Sequence, residues 1–277
     1  MHVICLLSLK GGAGKSTVAQ SIAVCASDHG QNTLIIELDP QGTLKNWSKR
    51  RQAEHPRVVQ TLPQSLGEVL EEARAAGVHW VFIDTPGQQS TASNAAAAAA
   101  DLILIPCKVQ STKDLDAAVF SINDAKRSGK RAYVLLTQVP PKGTRLVRHR
   151  QLSIQREHGI TVLSRYLSRR AAFEYCDAHG LSAAEFRPDS QAAEETERLY
   201  CLLQSIFIRA DLGAALKPSP AVPAQPPGLT GVCESRPNAS QAAPASLIEP
   251  GSRALSAPAV LDRFGMAELS GLSELPD

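Results

Sequence analysis

The 277-residue sequence predicts an α/β fold in which a mainly parallel sheet carries helices on both faces. Three observations support that reading. Short β-rich runs alternate with longer helical patterns from residue 2 to about residue 208, the order that parallel strands joined by crossover helices require. Runs such as TLIIEL (33–38) and LILIP (102–106) are apolar without a polar alternate, as strands covered on both sides must be. A glycine-rich loop, KGGAGKST at residues 10–17, joins the first strand to the first helix.

The elements follow in order. The apolar opening HVICLLSL places a strand at 2–8, and the helical pattern after the glycine loop spans 15–28. A second strand at 33–38 is followed by a helix at 66–76 and a third strand at 80–84, where Trp80, Val81, Phe82 and Ile83 lead to Asp84. The six alanines at 95–100 predict a tightly packed helix running into Asp101, since Ala is the best helix former. Strands at 102–106, 132–137 and 161–163 alternate with helices at 113–128, 145–158 and 168–179. A last helix at 191–208 carries Glu194, Leu199, Leu202, Leu203 and Ile206 before the pattern runs out at Gly213.

Composition divides the chain. Ten of the 18 prolines fall in the last 64 residues, beside Ala and Ser, so residues 1–212 are expected to fold and residues 213–277 to form a disordered tail. No apolar run reaches the roughly 18 residues of a membrane span, and no signal-cleavage pattern follows the apolar start. Six cysteines (Cys5, Cys25, Cys107, Cys176, Cys201, Cys233) show no CxxC pair or other metal-ligand spacing. They read as reduced thiols of a cytoplasmic protein.

The loop at 10–17 has the chemistry of a phosphate cradle. Gly11, Gly12, Ala13 and Gly14 let backbone N–H groups and the helix N-terminus face phosphate oxygens. Lys15 reaches the β/γ-phosphates, Ser16 supplies a hydroxyl for Mg²⁺, and Thr17 completes the binding set. Asp39 leaves the second strand at its carboxyl end, the edge where ligands bind in open α/β sheets. Asp84, at the end of an apolar strand, is positioned as the carboxylate for the metal. An NKxD guanine-reading motif is absent.

Lys10, directly before Gly11-Gly12, gives the loop the form KGGxGK[ST]. That form resembles the deviant Walker A box of the ParA/MinD ATPases and identifies the chain with P-loop NTPases of this SIMIBI-like type. The resemblance implies ATP and Mg²⁺ as cofactors and an ATP-sandwich homodimer, with Lys10 reaching the partner's nucleotide and Asp39 positioning or polarising the attacking water. It also implies that adenine is held near the end of the fifth strand, where Gln138 stands as a candidate contact. Residues 3–208 share the likeness, which looks closest to short ParA-type partition proteins: a loop beginning at residue 10 leaves no room for the N-terminal operator-binding domain of the long class. Val109-Gln110-Ser111 replaces the Pro-Ser pair common in the family.

The formal net charge of +2 hides a strongly uneven layout. Residues 126–170 hold 12 Lys/Arg against the single acid Glu157, a net +11 in 45 residues. Arg145, Arg148, Arg150, Arg165, Arg169 and Arg170 are the candidates for nonspecific contact with double-stranded DNA phosphates. The expectation is a nucleoid-associated ATP switch that partitions a plasmid, chromosome or other cargo and hydrolyses ATP slowly when a ParB-like or other adaptor stimulates it. A membrane-positioning switch of the MinD kind is the alternative, on the tail pattern Val260, Leu261, Phe264, Met266, Leu269 and Leu272. Asp262, Glu268, Glu274 and Asp277 outnumber Arg263 there, the wrong sign for anionic lipid. A metabolic ATP-dependent enzyme on the same core is the third reading.

Overall fold

The computed structural model describes residues 1–215; the proline-rich tail, with its apolar pattern and Cys233, lies outside the described residues. Seven strands form one sheet: β1 (His2–Leu6), β2 (Thr33–Glu37), β3 (Arg57–Gln60), β4 (Trp80–Asp84), β5 (Leu102–Lys108), β6 (Arg131–Thr137) and β7 (Thr161–Val162). Their order is β3-β2-β4-β1-β5-β6-β7, and every pairing is parallel. The expected mainly parallel sheet is thus parallel throughout. Nine helices cross over or flank it among the described residues: α1 (Lys15–Asp28), α2 (Thr43–Arg50), α3 (Leu66–Ala75), α4 (Thr91–Ala99), α5 (Thr112–Arg127), α6 (Thr144–His158), α7 (Ala171–Tyr175), α8 (Ala183–Phe186) and α9 (Gln191–Ala215).

The absence of alternation in the strands has its cause in burial on both faces. Ile4 and Leu6 of β1, Trp80 and Phe82 of β4, and Leu102 and Leu104 of β5 join one core with Val18, Ile22 and Cys25 of α1 and Leu199, Tyr200 and Leu203 of α9. The residues of opposite parity, Val3, Cys5, Val81, Ile83, Ile103 and Ile105, are equally buried, on the face that the crossover helices α3, α4 and α5 close with Val69, Ala73, Ala96, Ala118 and Ile122.

Three labelled elements were absent from the sequence reading: α2, β3 and the four-residue helix α8. Helix α2 buries only Leu44 and Trp47, and β3 is a four-residue strand, half-buried along its length. The segment expected as one helix over 168–179 is instead α7 followed by a short 3₁₀ turn, Cys176–His179, closed by Gly180 at φ 66°. Gly180 fits because a Cβ there would lie 2.4 Å from the backbone of Arg50 at the end of α2. Helix α9 continues to Ala215, past the expected boundary at 212.

Because all strands run the same way, their carboxyl ends gather on one edge. The glycine loop, Asp39, Thr85–Gly87, Lys108 and Gln138 all leave the sheet there, with β1 at its centre where the strand order changes direction.

Candidate functional site

Gly14 caps α1 in the left-handed region (φ 96°) and offers no side chain to the first turn, so the helix N–H groups stay open to an anion. The loop is braced from β6: Thr137 Oγ1 donates to the Ala13 carbonyl at 2.8 Å, and the Gln138 side-chain amide donates to the Gly12 carbonyl at 3.2 Å. A Cβ on Gly11 would meet nothing within 4 Å. A Cβ on Gly87, which follows β4, would come within 3.1 Å of the Gly11 nitrogen, so the two loops sit against each other.

Lys15 is buried, its Nζ donating to the Ser8 carbonyl at 3.2 Å. Burial pulls its pKa below the ordinary value while Asp84 and Asp39 act in the opposite direction. Such an ammonium gains from an anion brought beside it.

Ser16 Oγ donates to Asp84 Oδ2 at 2.6 Å. Asp84 Oδ1 is buried without a hydrogen-bond partner. Burial raises the Asp84 pKa to about 7, against the lowering effects of Ser16 and Lys15. An orphaned carboxylate oxygen next to a hydroxyl, both facing the phosphate loop, fits a hard cation with oxygen ligands. Ser16 and Asp84 would hold Mg²⁺, and the loop with Lys15 would hold the nucleotide phosphates; the bound pair supplies a polarised phosphoryl group for transfer to water.

Asp39 is held by backbone geometry. Gln41 N–H donates to its Oδ1 at 3.0 Å, and the Gln60 side-chain amide donates to its carbonyl at 3.0 Å. Just upstream, Glu37 is fully buried and accepts N–H bonds from Leu44 and Lys45 at 2.9 Å each. A carboxylate from β2 therefore caps the start of α2 and fixes both ends of the loop that carries Asp39. Burial raises the Glu37 pKa, and these backbone donors partly offset the shift.

Lys10, in the same loop, points to Asp114 of α5, with Nζ 2.5 Å from Oδ1. Ser111 caps α5 and shares that carboxylate through a capping box. Lys108, at the end of β5, places its Nζ 3.4 Å from where a Cβ on Gly12 would be. It is a further cation at the phosphate loop that the sequence reading missed, since a lysine ending a strand carries no motif of its own.

Beside the loop lies a cavity of about 260 Å³ lined by Gly14, Thr17, Gln138, Ser168, Arg170 and Phe173, among others. Gln138 thus lies on the expected side of the site, at φ 51°. Ser168 N–H and Oγ both donate to Glu195, at 2.7 Å each, and Arg170 pairs with the same carboxylate at 3.2 Å. This wall, drawn from residues far apart in the chain, was not legible in sequence.

The arginines expected at DNA separate into two groups. Arg145 and Arg148 are exposed on α6, and Arg165 is exposed after β7. Arg150 is half-buried, with its Nε unpartnered. Arg169 is exposed near Glu174, whereas Arg170 is half-buried on Glu195; both line the cavity beside the loop.

A phosphate loop opening a helix at the centre of a parallel sheet, with a hydroxyl and a carboxylate converging beside it, defines a P-loop nucleotide hydrolase whose extra lysine marks the deviant Walker A type. The profile of the CbiA family, the CobQ/CobB/MinD/ParA nucleotide binding domain, matches residues 4–183. The maintenance of carboxysome distribution protein A of Gloeobacter kilaueensis is 30% identical over 210 residues, covering 72% of this chain and 90% of that protein. The protein of the same name from Halothiobacillus neapolitanus is 26% identical over 200 residues, 69% and 91% of the two chains. Among solved structures, the septum site-determining protein MinD of Pyrococcus horikoshii, complexed with Mg-ADP, superposes with a TM-score of 0.58 over 74% of this chain and 97% of that one, at 14% identity; this likeness is one of fold. The chain belongs to the ParA/MinD family of ATPases, and its cofactors are ATP and Mg²⁺.

No helix among the described residues is long and apolar enough to cross a membrane.

Proposed function

We propose that this chain is a positioning switch: ATP closes a homodimer, the dimer holds to DNA without sequence preference, and an adaptor on the cargo stimulates slow hydrolysis and release. The observation that carries it is the pair of lysines at one loop. Lys15 is buried within the chain's own site, while Lys10 is partly exposed and paired with Asp114 of α5, a contact it must give up to reach a second protomer. Hydrolysis within one subunit needs Lys15, Ser16, Asp84 and Asp39; a second lysine beside them has a use when two subunits face each other.

The DNA reading is supported by α6. Arg145, Arg148, His149, Leu152 and Arg156 are all exposed and follow helical spacing along one face. No ion pair among the described residues engages Arg145, Arg148 or Arg156. Unpaired arginines on one face suit phosphate contact. The carboxysome-distribution relatives support a carboxysome or similar body as cargo; a plasmid or chromosome is the other cargo of this reading, which has the protein work on the nucleoid.

The deciding measurement is retention of nonspecific double-stranded DNA with ATP, with ADP and without nucleotide. Retention confined to the ATP state, together with dimer formation, supports the switch. Equal retention in all three states, or none in any, overturns it.

A further inference from the structure

Away from the nucleotide, three donors from distant parts of the chain meet where α1 packs on α9. Cys25 Sγ lies 3.2 Å from Glu197 Oε2, and His29 Nε2 lies 3.1 Å from Glu197 Oε1. The three donor atoms all fall within 4.8 Å of one another. Cys201 Sγ is 3.5 Å from the same carboxylate. Cys25 lies on α1 one turn before its C-cap residue His29, and Glu197 and Cys201 are one turn apart on α9, so each pair shares a face.

His29 faces an acceptor at each ring nitrogen, an arrangement that either a second N–H or a cation at Nε2 satisfies. Its Nδ1 is 2.9 Å from the Cys25 carbonyl and its Nε2 faces the carboxylate. Both neighbours are acceptors, and a neutral imidazole has one N–H. With the proton on Nδ1, directed at the carbonyl, Nε2 presents its lone pair toward Glu197, which is the tautomer and second-shell bond of a metal-ligating histidine. The Tyr200 ring covers the imidazole, with centroids 5.0 Å apart.

Access and charge are suitable. Cys25 and Glu197 line a cavity of about 590 Å³ together with Asp28, Glu185, Asp189 and Glu194, and no lysine or arginine lines it. A thiolate, an imidazole and a carboxylate together select a borderline-soft divalent ion over Mg²⁺ or Ca²⁺.

We propose that Cys25, His29 and Glu197 form a Zn²⁺ site that fastens α9 to α1, the helix leaving the phosphate loop, with a fourth position open to water from the cavity or to Cys201. The site is independent of the switch reading above. A simple ion pair of His29⁺ with Glu197 is the competing account, and it takes up no metal.

The test uses the full chain, stripped with a chelator and titrated with Co²⁺ and then Zn²⁺. One Co²⁺ per chain, with a thiolate-to-cobalt charge-transfer band and tetrahedral d–d bands that Zn²⁺ abolishes, is expected; the sulfur band separates this site from Ser16 and Asp84, which offer oxygen alone. Zn²⁺ at about a hundredfold excess over its Kd should raise Tm by about 5–10 °C. Cys25→Ser should lose the sulfur band where water is the fourth ligand and about halve it where Cys201 is. His29→Gln, at a side chain 44% exposed, should keep the fold and ATP binding while weakening Zn²⁺ at least about tenfold. Failure of the wild type to take up Co²⁺ or Zn²⁺, or uptake unchanged in His29→Gln, overturns the site. If Cys25→Ser does not fold, the His29 variant carries the decision.

Discussion

Lys10 and Asp114 form an ion pair, Nζ to Oδ1 2.5 Å, that ties the phosphate loop to the first turn of α5. The carboxylate is buried and the lysine 37% exposed, so the lysine that the family resemblance assigns to a partner's nucleotide is engaged within its own chain. Any use of Lys10 across a dimer must break this contact. Under the proposed switch, this latch would oppose dimer closure by the size of a partly exposed pair, about 1 kcal/mol.

Asp114→Asn should release Lys10 and lower the ATP concentration at which dimers form by about threefold to tenfold. Lys10→Ala should leave ATP binding by the monomer nearly unchanged and abolish the ATP-dependent dimer. Sedimentation with ATP and a nonhydrolysable analogue measures both. A Lys10→Ala protein that dimerises normally would remove the cross-dimer role.

The latch has a pH signature. Burial raises the Asp114 pKa, but bonds from Lys10 and Ser111 outweigh it and hold the carboxyl below its ordinary value. A depressed acid contributes stability that is complete above the unfolded pKa of about 4 and is lost as pH falls through the lower folded value. The Tm gap between wild type and Asp114→Asn should be constant near neutrality and shrink below about pH 4. A gap that persists undiminished into acid would show that it does not come from the charged pair.

Lys15→Ala should weaken nucleotide binding by at least about a hundredfold, because the buried cation beside the phosphates is removed. Asp39→Ala should bind ATP and dimerise yet turn over at least about a hundredfold more slowly. Fluorescent-nucleotide titration and phosphate release separate the two effects, and normal turnover in the Asp39 variant would refute its assignment to the attacking water.

On α6, the double change Arg145→Glu and Arg148→Glu should reduce DNA affinity and flatten its salt dependence by about two in log–log slope. ATP affinity should stay unchanged. Changing Arg169 and Arg170 instead should also disturb nucleotide binding, since both line the cavity beside the loop and Arg170 is paired to Glu195. Equal effects of the two pairs on DNA and ATP would mean that this division of the basic segment is wrong.

Gly180→Ala should destabilise the fold by about 2–4 kcal/mol, a Tm loss of about 5–10 °C. The left-handed φ of 66° and the 2.4 Å approach of a Cβ to Arg50 both oppose it. Thermal unfolding with and without ATP measures the loss, and a neutral variant would show that α2 moves away at little cost.

The phosphate loop, Asp39, Asp84 and the parallel sheet were legible because each is encoded within a short stretch: glycines before Lys-Ser, an acid at the end of an apolar strand, strands without alternation. Helix α2 and strand β3 were not, because neither is specified by its own pattern. The helix is capped by Glu37 from another element and buries two side chains; the strand exists by pairing with β2. Arg170 belongs by sequence to one continuous basic segment, but Glu195, 25 residues away, holds it at the cavity beside the loop.

By itself the sequence determined the fold class, the family's phosphate chemistry and the location of excess positive charge, all of which depend on residues close together in the chain. Tertiary structure alone decided the long-range partnerships. It set Lys10 against Asp114, grouped Ser168, Arg170 and Phe173 around a cavity beside the loop, and brought Cys25 to Glu197 across 172 residues, with His29 beside them. Spacing rules see ligands that share a turn or a loop; donors on two packed helices become neighbours only when burial of the apolar faces of α1 and α9 fixes their register.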